Sequence, residues 1–162
     1  EEEREPSFAH HGAASLPRIE RPGAILTVIA GTAYGERSPV DVFSPTLYVD
    51  AQLADGAAIE VPDEHQQRAC YVAQGRIEIA GQAFGEGQFI VLASAAGPVS
   101  ITALQASRVM LAGGAALDGP RHIYWNFVSS TRERIEAASR DWREHRFAPV
   151  PGDAERIPLP DE

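Results

Sequence analysis

The chain has 162 residues, enough for one domain with a substantial core and too few for two ordinary ones. Its 14 Lys+Arg against 23 Asp+Glu leave a formal charge of -9, which repels phosphate backbones and anionic lipid alike and excludes direct nucleic-acid binding as an expected role. Apolar runs such as 89–96 fall far short of the roughly 20 residues that cross a bilayer, and no basic, apolar, small-residue signal segment opens the sequence, so no membrane partner is expected.

In chain order, the opening run Glu1-Glu2-Glu3-Arg4-Glu5-Pro6 reads as a solvated linker, and the chain is expected to be part of something longer. Residues 1–22 are polar, Pro-bearing and non-periodic, which predicts an extended arm. Residues 24–30 form a β-rich run closed by Gly31 and Gly35, and residues 40–43 predict a second short strand. From Thr46 to Leu53 apolar and polar residues alternate, the period of a half-buried strand. Turn signals then separate strands predicted at 58–61, 69–73, 76–80, 89–92, 99–103 and 108–112, with a hairpin turn at Gly81-Gln82. Short strands at intervals of roughly 8 to 12 residues point to an all-β sandwich or barrel. Ser130, Thr131, Arg132 and Glu133 read as a capping box opening a helix that runs to about His145. Ile135, Ala138 and Trp142 make its apolar stripe, and Arg132, Glu136, Arg140 and Glu144 a charge ladder on another face. The helix is expected to lie against the barrel. Pro149, Pro151, Pro158 and Pro160 exclude regular structure beyond it.

The glycine spacing resembles the two motifs of cupins, small jelly-roll barrels, with the metal ligands replaced. Gly56 and Gly75 frame a first motif whose histidine slots hold Pro62 and Glu64, or Val61 and Asp63 in the other permitted spacing, and whose glutamate slot holds Arg68. From Gly87, the second motif's slots hold Ala93, Ala95, Pro98 and Thr102. A metal enzyme of this kind needs imidazole and carboxylate donors converging at about 2 Å. Arg68 places a permanent cation there instead, so the barrel is expected to be non-catalytic.

The segment Gly119-Pro120-Arg121-His122-Ile123-Tyr124-Trp125-Asn126-Phe127-Val128-Ser129-Ser130, followed by Asp141-Trp142 and Arg146-Phe147, resembles the C-terminal end of pirin-like proteins. So do Ile29-Ala30-Gly31, Arg37-Ser38-Pro39, the 47–53 strand and Tyr71-Val72-Ala73-Gln74-Gly75. The resemblance implies the C-terminal half of a bicupin, a metal-free jelly roll whose N-terminal partner half holds iron(II) through three histidines and a glutamate. It implies a quercetin-oxidising dioxygenase, or an iron-dependent transcriptional co-regulator, for the whole protein. No ligand of the N-terminal half maps onto any position here.

Other candidates are weighed on their residues. Asp63-Glu64-His65 offers carboxylates and an imidazole but reads as a solvated loop, because adjacent strand residues point to opposite faces. His10-His11 reads as an exposed pair in the arm. Cys70 reads as a buried, inert thiol, the alternative being activation by Arg68 on the same strand face. As the single cysteine it forms no internal disulfide, which fits a reducing, cytoplasmic compartment. His122 with Arg121, Tyr124 and Trp125 reads as packing, the alternative being a clasp for a small acid or an aromatic ligand. Gly85-Glu86-Gly87 lacks the following helix of a phosphate loop.

The expected architecture is therefore a cupin-type jelly-roll barrel with an N-terminal arm (1–22), a metal-free barrel (23–128) and a C-terminal helix with a Pro-rich tail (129–162). No catalytic, cofactor-binding or metal-binding residue is assigned. Its expected role is to close the cleft over the iron of the other half of a quercetin-type dioxygenase, with that half, an aromatic substrate at the cleft and a protein partner as candidate contacts. The alternative is a non-enzymatic, iron- or redox-sensing co-regulator. An open iron position facing a roomy apolar cleft favours the enzyme, a closed one the sensor.

Overall fold

The computed structural model describes residues 4–5, 7–93, 97–149, 151–152, 155 and 157–160. The Ala95 slot of the second motif, and residues 1–3 and 6 of the opening run, lie outside them. Two compact units divide the chain, the first through residue 116 and the second from residue 117.

In the first unit the strands are β1 (Arg18–Arg21), β2 (Ala24–Ala33), β3 (Glu36–Arg37), β4 (Thr46–Leu53), β5 (Ala58–Val61), β6 (Gln67–Gln74), β7 (Arg76–Ile79), β8 (Gln82–Gly85), β9 (Phe89–Leu92), β10 (Val99–Ala103) and β11 (Ser107–Gly114). They build two antiparallel sheets. The larger has seven strands in the order β1-β2-β4-β11-β6-β9, with β3 paired to β2; the smaller has four in the order β5-β10-β7-β8. The alternation read in 46–53 sends Leu47, Val49, Ala51 and Leu53 inward, where they meet Leu26, Val28, Val72, Val109 and Leu111 of the same sheet. Ile59, Val61, Ile77, Ile79 and Ile101 of the smaller sheet share that core. Each such side chain taken fully out of water contributes about 1.5–3 kcal/mol.

The expected jelly-roll barrel is corrected on this point, because no sheet closes into a barrel among the described residues. The larger sheet ends at β1 and β9 and the smaller at β5 and β8. What joins the two sheets is side-chain packing in one core, so the architecture is an open antiparallel sandwich. The chain crosses between sheets at Gly75, which sits at φ 87° between β6 and β7. A Cβ there would lie 2.4 Å from Ser107 Oγ, the atom that accepts a hydrogen bond from the Arg76 amide at 3.0 Å.

Two local expectations also change. Residues 40–43 form no strand: the buried Ser38 hydroxyl donates to Ile29 O at 2.7 Å and accepts from the Val40 amide at 3.2 Å, diverting the backbone into a local turn. Within the expected arm, Arg18–Arg21 pairs along β2 as an edge strand.

The second unit holds a hairpin of β12 (His122–Tyr124) and β13 (Phe127–Ser129), against which α1 (Arg132–Arg143) packs. Trp125, Phe127, Trp142 and Phe147 form one aromatic cluster, with Trp125 and Trp142 5.0 Å apart edge to face and Phe127 stacked on Phe147 at 5.9 Å. Trp142 Nε1 donates to Ile157 O at 2.9 Å, tying the Pro-rich tail back to the helix. The N-cap is Thr131, whose hydroxyl accepts from the Arg134 amide at 3.4 Å, and not Ser130. Glu133 then falls one place short of the capping-box position, which Arg134 occupies. Thr131→Ala is expected to destabilise the fold by about 1 kcal/mol. A denaturation midpoint shifted instead by Ser130→Ala alone would move the cap back to the serine.

Candidate functional site

The cupin motif positions converge on Arg68. It lies on β6, facing inward with Cys70 and Val72, and only 3% of it is exposed. Its Nη1 donates to Pro62 O at 3.1 Å and to Gly97 O at 2.9 Å. Pro62 stands in the first histidine slot of one motif, and Gly97 immediately precedes Pro98, the histidine slot of the other. One guanidinium therefore bridges the two loops from which a metal-binding cupin would draw its ligands. Its Nε is buried without a hydrogen-bond partner.

The remaining described slot residues bring no set of donors together. Val61 is a buried core residue, Glu64 and Asp63 are exposed, and Ala93 and Pro98 face solvent. Among the described residues, no group of three or more His, Cys, Asp or Glu side chains is placed to hold a metal ion. The residues present do not fit iron: a cation already fills the carboxylate position.

His65 is not the solvated loop residue that its acidic neighbours suggest. It is 6% exposed, and its Nε2 lies 3.1 Å from Thr32 O, so the imidazole anchors the loop after β5 onto β2. Nothing in Asp63-Glu64-His65 distinguishes that role in advance. Nearby, Tyr34 takes φ 57° in the turn between β2 and β3, donates its hydroxyl to Glu60 O at 2.8 Å and lies under the Arg21 guanidinium at 4.8 Å. Burial pushes its phenol up to about 12, against the opposing pull of Arg21.

Cys70 shares the inward face with Arg68, yet burial dominates, and the thiol is pushed up to about 12. A thiol held protonated is neither a nucleophile nor a ready metal ligand. His10 is exposed and His11 half-buried in the irregular N-terminal segment, and Gly85-Glu86-Gly87 is the turn from β8 towards β9.

Two surfaces are assembled only by the fold, although Arg121, His122 and Tyr124 of the second already read in sequence as an alternative clasp for a small acid or an aromatic ligand. On the outer face of the larger sheet Tyr71 pairs with Phe89 and Met110, and Ala69 with Val91 and Ala112. Phe89 is 62% and Val91 76% exposed, Tyr71 is exposed beside Phe89, and Tyr48 is exposed on the same face three strands away. The unbroken apolar run Phe89-Ile90-Val91-Leu92 carried that signal, since a strand apolar on both faces is suited to burial on both. The second surface is a groove between β12 and α1, where Arg121, His122 and Tyr124 meet Arg132, Arg140 and Arg143. A ladder of charges on a helix reads as a solvated face until the strand opposite it is known.

An antiparallel sandwich carrying both cupin motif frames, followed by an amphipathic helix, defines a cupin-class domain. Residues 48–148 match the Pirin C-terminal cupin domain, and the chain belongs to the pirin family. A pirin-like protein of Caulobacter vibrioides is 45% identical over 162 residues, covering 99% of this chain and 56% of that one. A pirin-like protein of Solanum lycopersicum is 27% identical, covering 86% of this chain and 50% of its own. The crystal structure of quercetin 2,3-dioxygenase from Acinetobacter baumannii superimposes with a TM-score of 0.80 at 27% identity, covering 90% of this chain and 50% of that one. The chain thus spans about half the length of the curated relatives it matches.

The thiol supplies a pH test. Cys70 ordinarily ionises near 9, so in the folded chain it stays protonated through a range in which an unfolded chain ionises, and stability is lost as pH rises above about 9. A thiol reagent at pH 8.5 is expected to leave the folded chain unlabelled and to react once denaturant is added. Prompt stoichiometric labelling of the native chain would contradict the burial assigned to Cys70.

Proposed function

We propose that this domain is the metal-free half of a two-domain pirin-like dioxygenase, and that it walls the cleft over iron held by the N-terminal half. The observation that carries the reading is the exposed apolar face of the larger sheet, centred on Tyr71, Phe89 and Val91. Soluble monomers rarely leave contiguous apolar patches beyond a few hundred Å² uncovered. The other half of a protein about twice this length is the partner that suits it.

Two further features support the division of labour. Arg68 fills the carboxylate slot, which supports assigning iron and its open coordination position to the other half. The similarity to a quercetin 2,3-dioxygenase supports a flavonol-like aromatic as the proposed substrate class for the whole protein. This domain would contribute shape and exclusion of water, which raise turnover only where they favour the transition state over the bound substrate. A co-regulator role would likewise draw on the iron half, since the buried Cys70 offers no thiol for redox sensing.

Produced alone, the chain is expected to self-associate at high concentration through this face, as followed by sedimentation. Phe89→Asp with Val91→Asp, both at exposed positions, is expected to return it to a monomer without lowering its denaturation midpoint. A clean monomer of the unsubstituted chain under the same conditions would contradict the interdomain role.

A further inference from the structure

The charge of this chain is unevenly laid out. Six of its 14 basic residues, all arginine, fall between 121 and 146, while the rest of the sequence carries the acidic excess. Arg132 and Arg134 stand in the first turn of α1, where the positive end of the helix dipole disfavours cations. Helix stability does not account for them.

Arg132, Glu136 and Arg140 recur at intervals of four, with Arg143 one turn beyond, so they share one side of α1. That side and β12 border a groove of about 750 Å³. Glu136 is the one carboxylate among its described lining residues, against four guanidiniums, and Tyr124 and Ile135 add apolar surface. Arg121 is held in place by Asp118 at 2.6 Å and by Gly119 O at 3.0 Å, an arrangement that fixes its fork and offsets part of its charge. Among the described residues, the side chains of Arg132 and Arg140 make no ion pair or hydrogen bond. Every basic residue of the chain is arginine, and the guanidinium fork suits planar, bidentate recognition of oxyanions.

The geometry points to a binding site in this groove for a small organic polyanion, one carrying two or more carboxylate or phosphate groups. Arg140 and Arg143, one turn apart, take one anionic group. Arg132 takes another, from a Cα about 12 Å along the helix from that of Arg140. The positive end of the helix lies on the same side as Arg132 and adds to the attraction. Bound oxyanions also relieve the mutual repulsion between the groove's guanidiniums, of which Arg121 alone has its pairing carboxylate, Asp118, described above, and Glu136 is the one carboxylate among the groove's described lining residues.

Calorimetric titration of the 162-residue chain with tripolyphosphate, and separately with citrate, tests this. Saturable one-to-one binding of at least one probe is expected, weakening as salt is raised. The double variant Arg132→Gln/Arg140→Gln is expected to lose about tenfold or more in affinity, whereas Arg37→Gln, an exposed arginine of β3, stays within about twofold. Binding of tripolyphosphate alone assigns a phosphate ligand, and binding of citrate alone a carboxylate. The proposal is overturned if neither probe saturates, if Arg37→Gln loses as much as the double variant, or if an acidic peptide binds where both small anions fail. Unchanged thermal midpoints in the variants keep loss of binding separate from loss of fold.

Discussion

A guanidinium taken out of water costs several kcal/mol unless it is hydrogen-bonded, and that cost governs how Arg68 is accommodated. Two carbonyls, Pro62 O and Gly97 O, receive its Nη1, and each belongs to a loop that joins the sheets near one end of the sandwich. The loops are thereby tied to β6 and to each other by a fixed cation. In a metal-binding cupin an ion and its ligands would perform that joining and also leave a reactive position. The arginine joins the loops through hydrogen bonds alone, with no open coordination position to offer.

Among the described residues the interior brings no cluster of metal ligands together, and two surfaces lie outside it. The strands that bury Val72, Val109 and Leu111 on one side carry Tyr71 and Met110 on the other, so the same period of two that fills the core also builds an apolar outer face. Asp50 interrupts that face, and it is held by a bidentate pair with Arg108 at 2.8 and 2.9 Å. The second unit, with its arginine-lined groove, is built around an aromatic cluster of its own.

Sequence reasoning was strong where one face is buried and weak where structure is set across space. Thr46–Leu53, Ala58–Val61, Phe89–Leu92 and Val99–Ala103 are strands over the ranges their patterns indicate. The three-residue β12 and β13 are too short to show a period, and β8 had only the hairpin turn at Gly81-Gln82 to announce it, with no strand pattern of its own. Closure of a barrel is a property of how edge strands meet, and glycine spacing in motif register does not report it. Ser130 and Thr131 are both good caps, and the capping-box pattern favoured the wrong one by a residue. Arg68 was legible as a replacement for a ligand, whereas its two carbonyl partners, 6 and 29 residues away in sequence, were not. The burial of His65 had no local signature at all, since its acceptor lies on β2.

The measurement that bears most directly on the account is the response of the two motif loops to loss of the guanidinium in Arg68→Met, which keeps the length and apolar stem of the side chain. If the guanidinium joins the loops, the variant will lose about 2 kcal/mol of stability, because two part-buried carbonyls lose their donor. Hydrogen exchange will then accelerate locally in the segments around Pro62 and Gly97. Stability unchanged or raised, with exchange in both segments as slow as before, would show that the loops hold without Arg68 and that its place in the ligand slot is incidental.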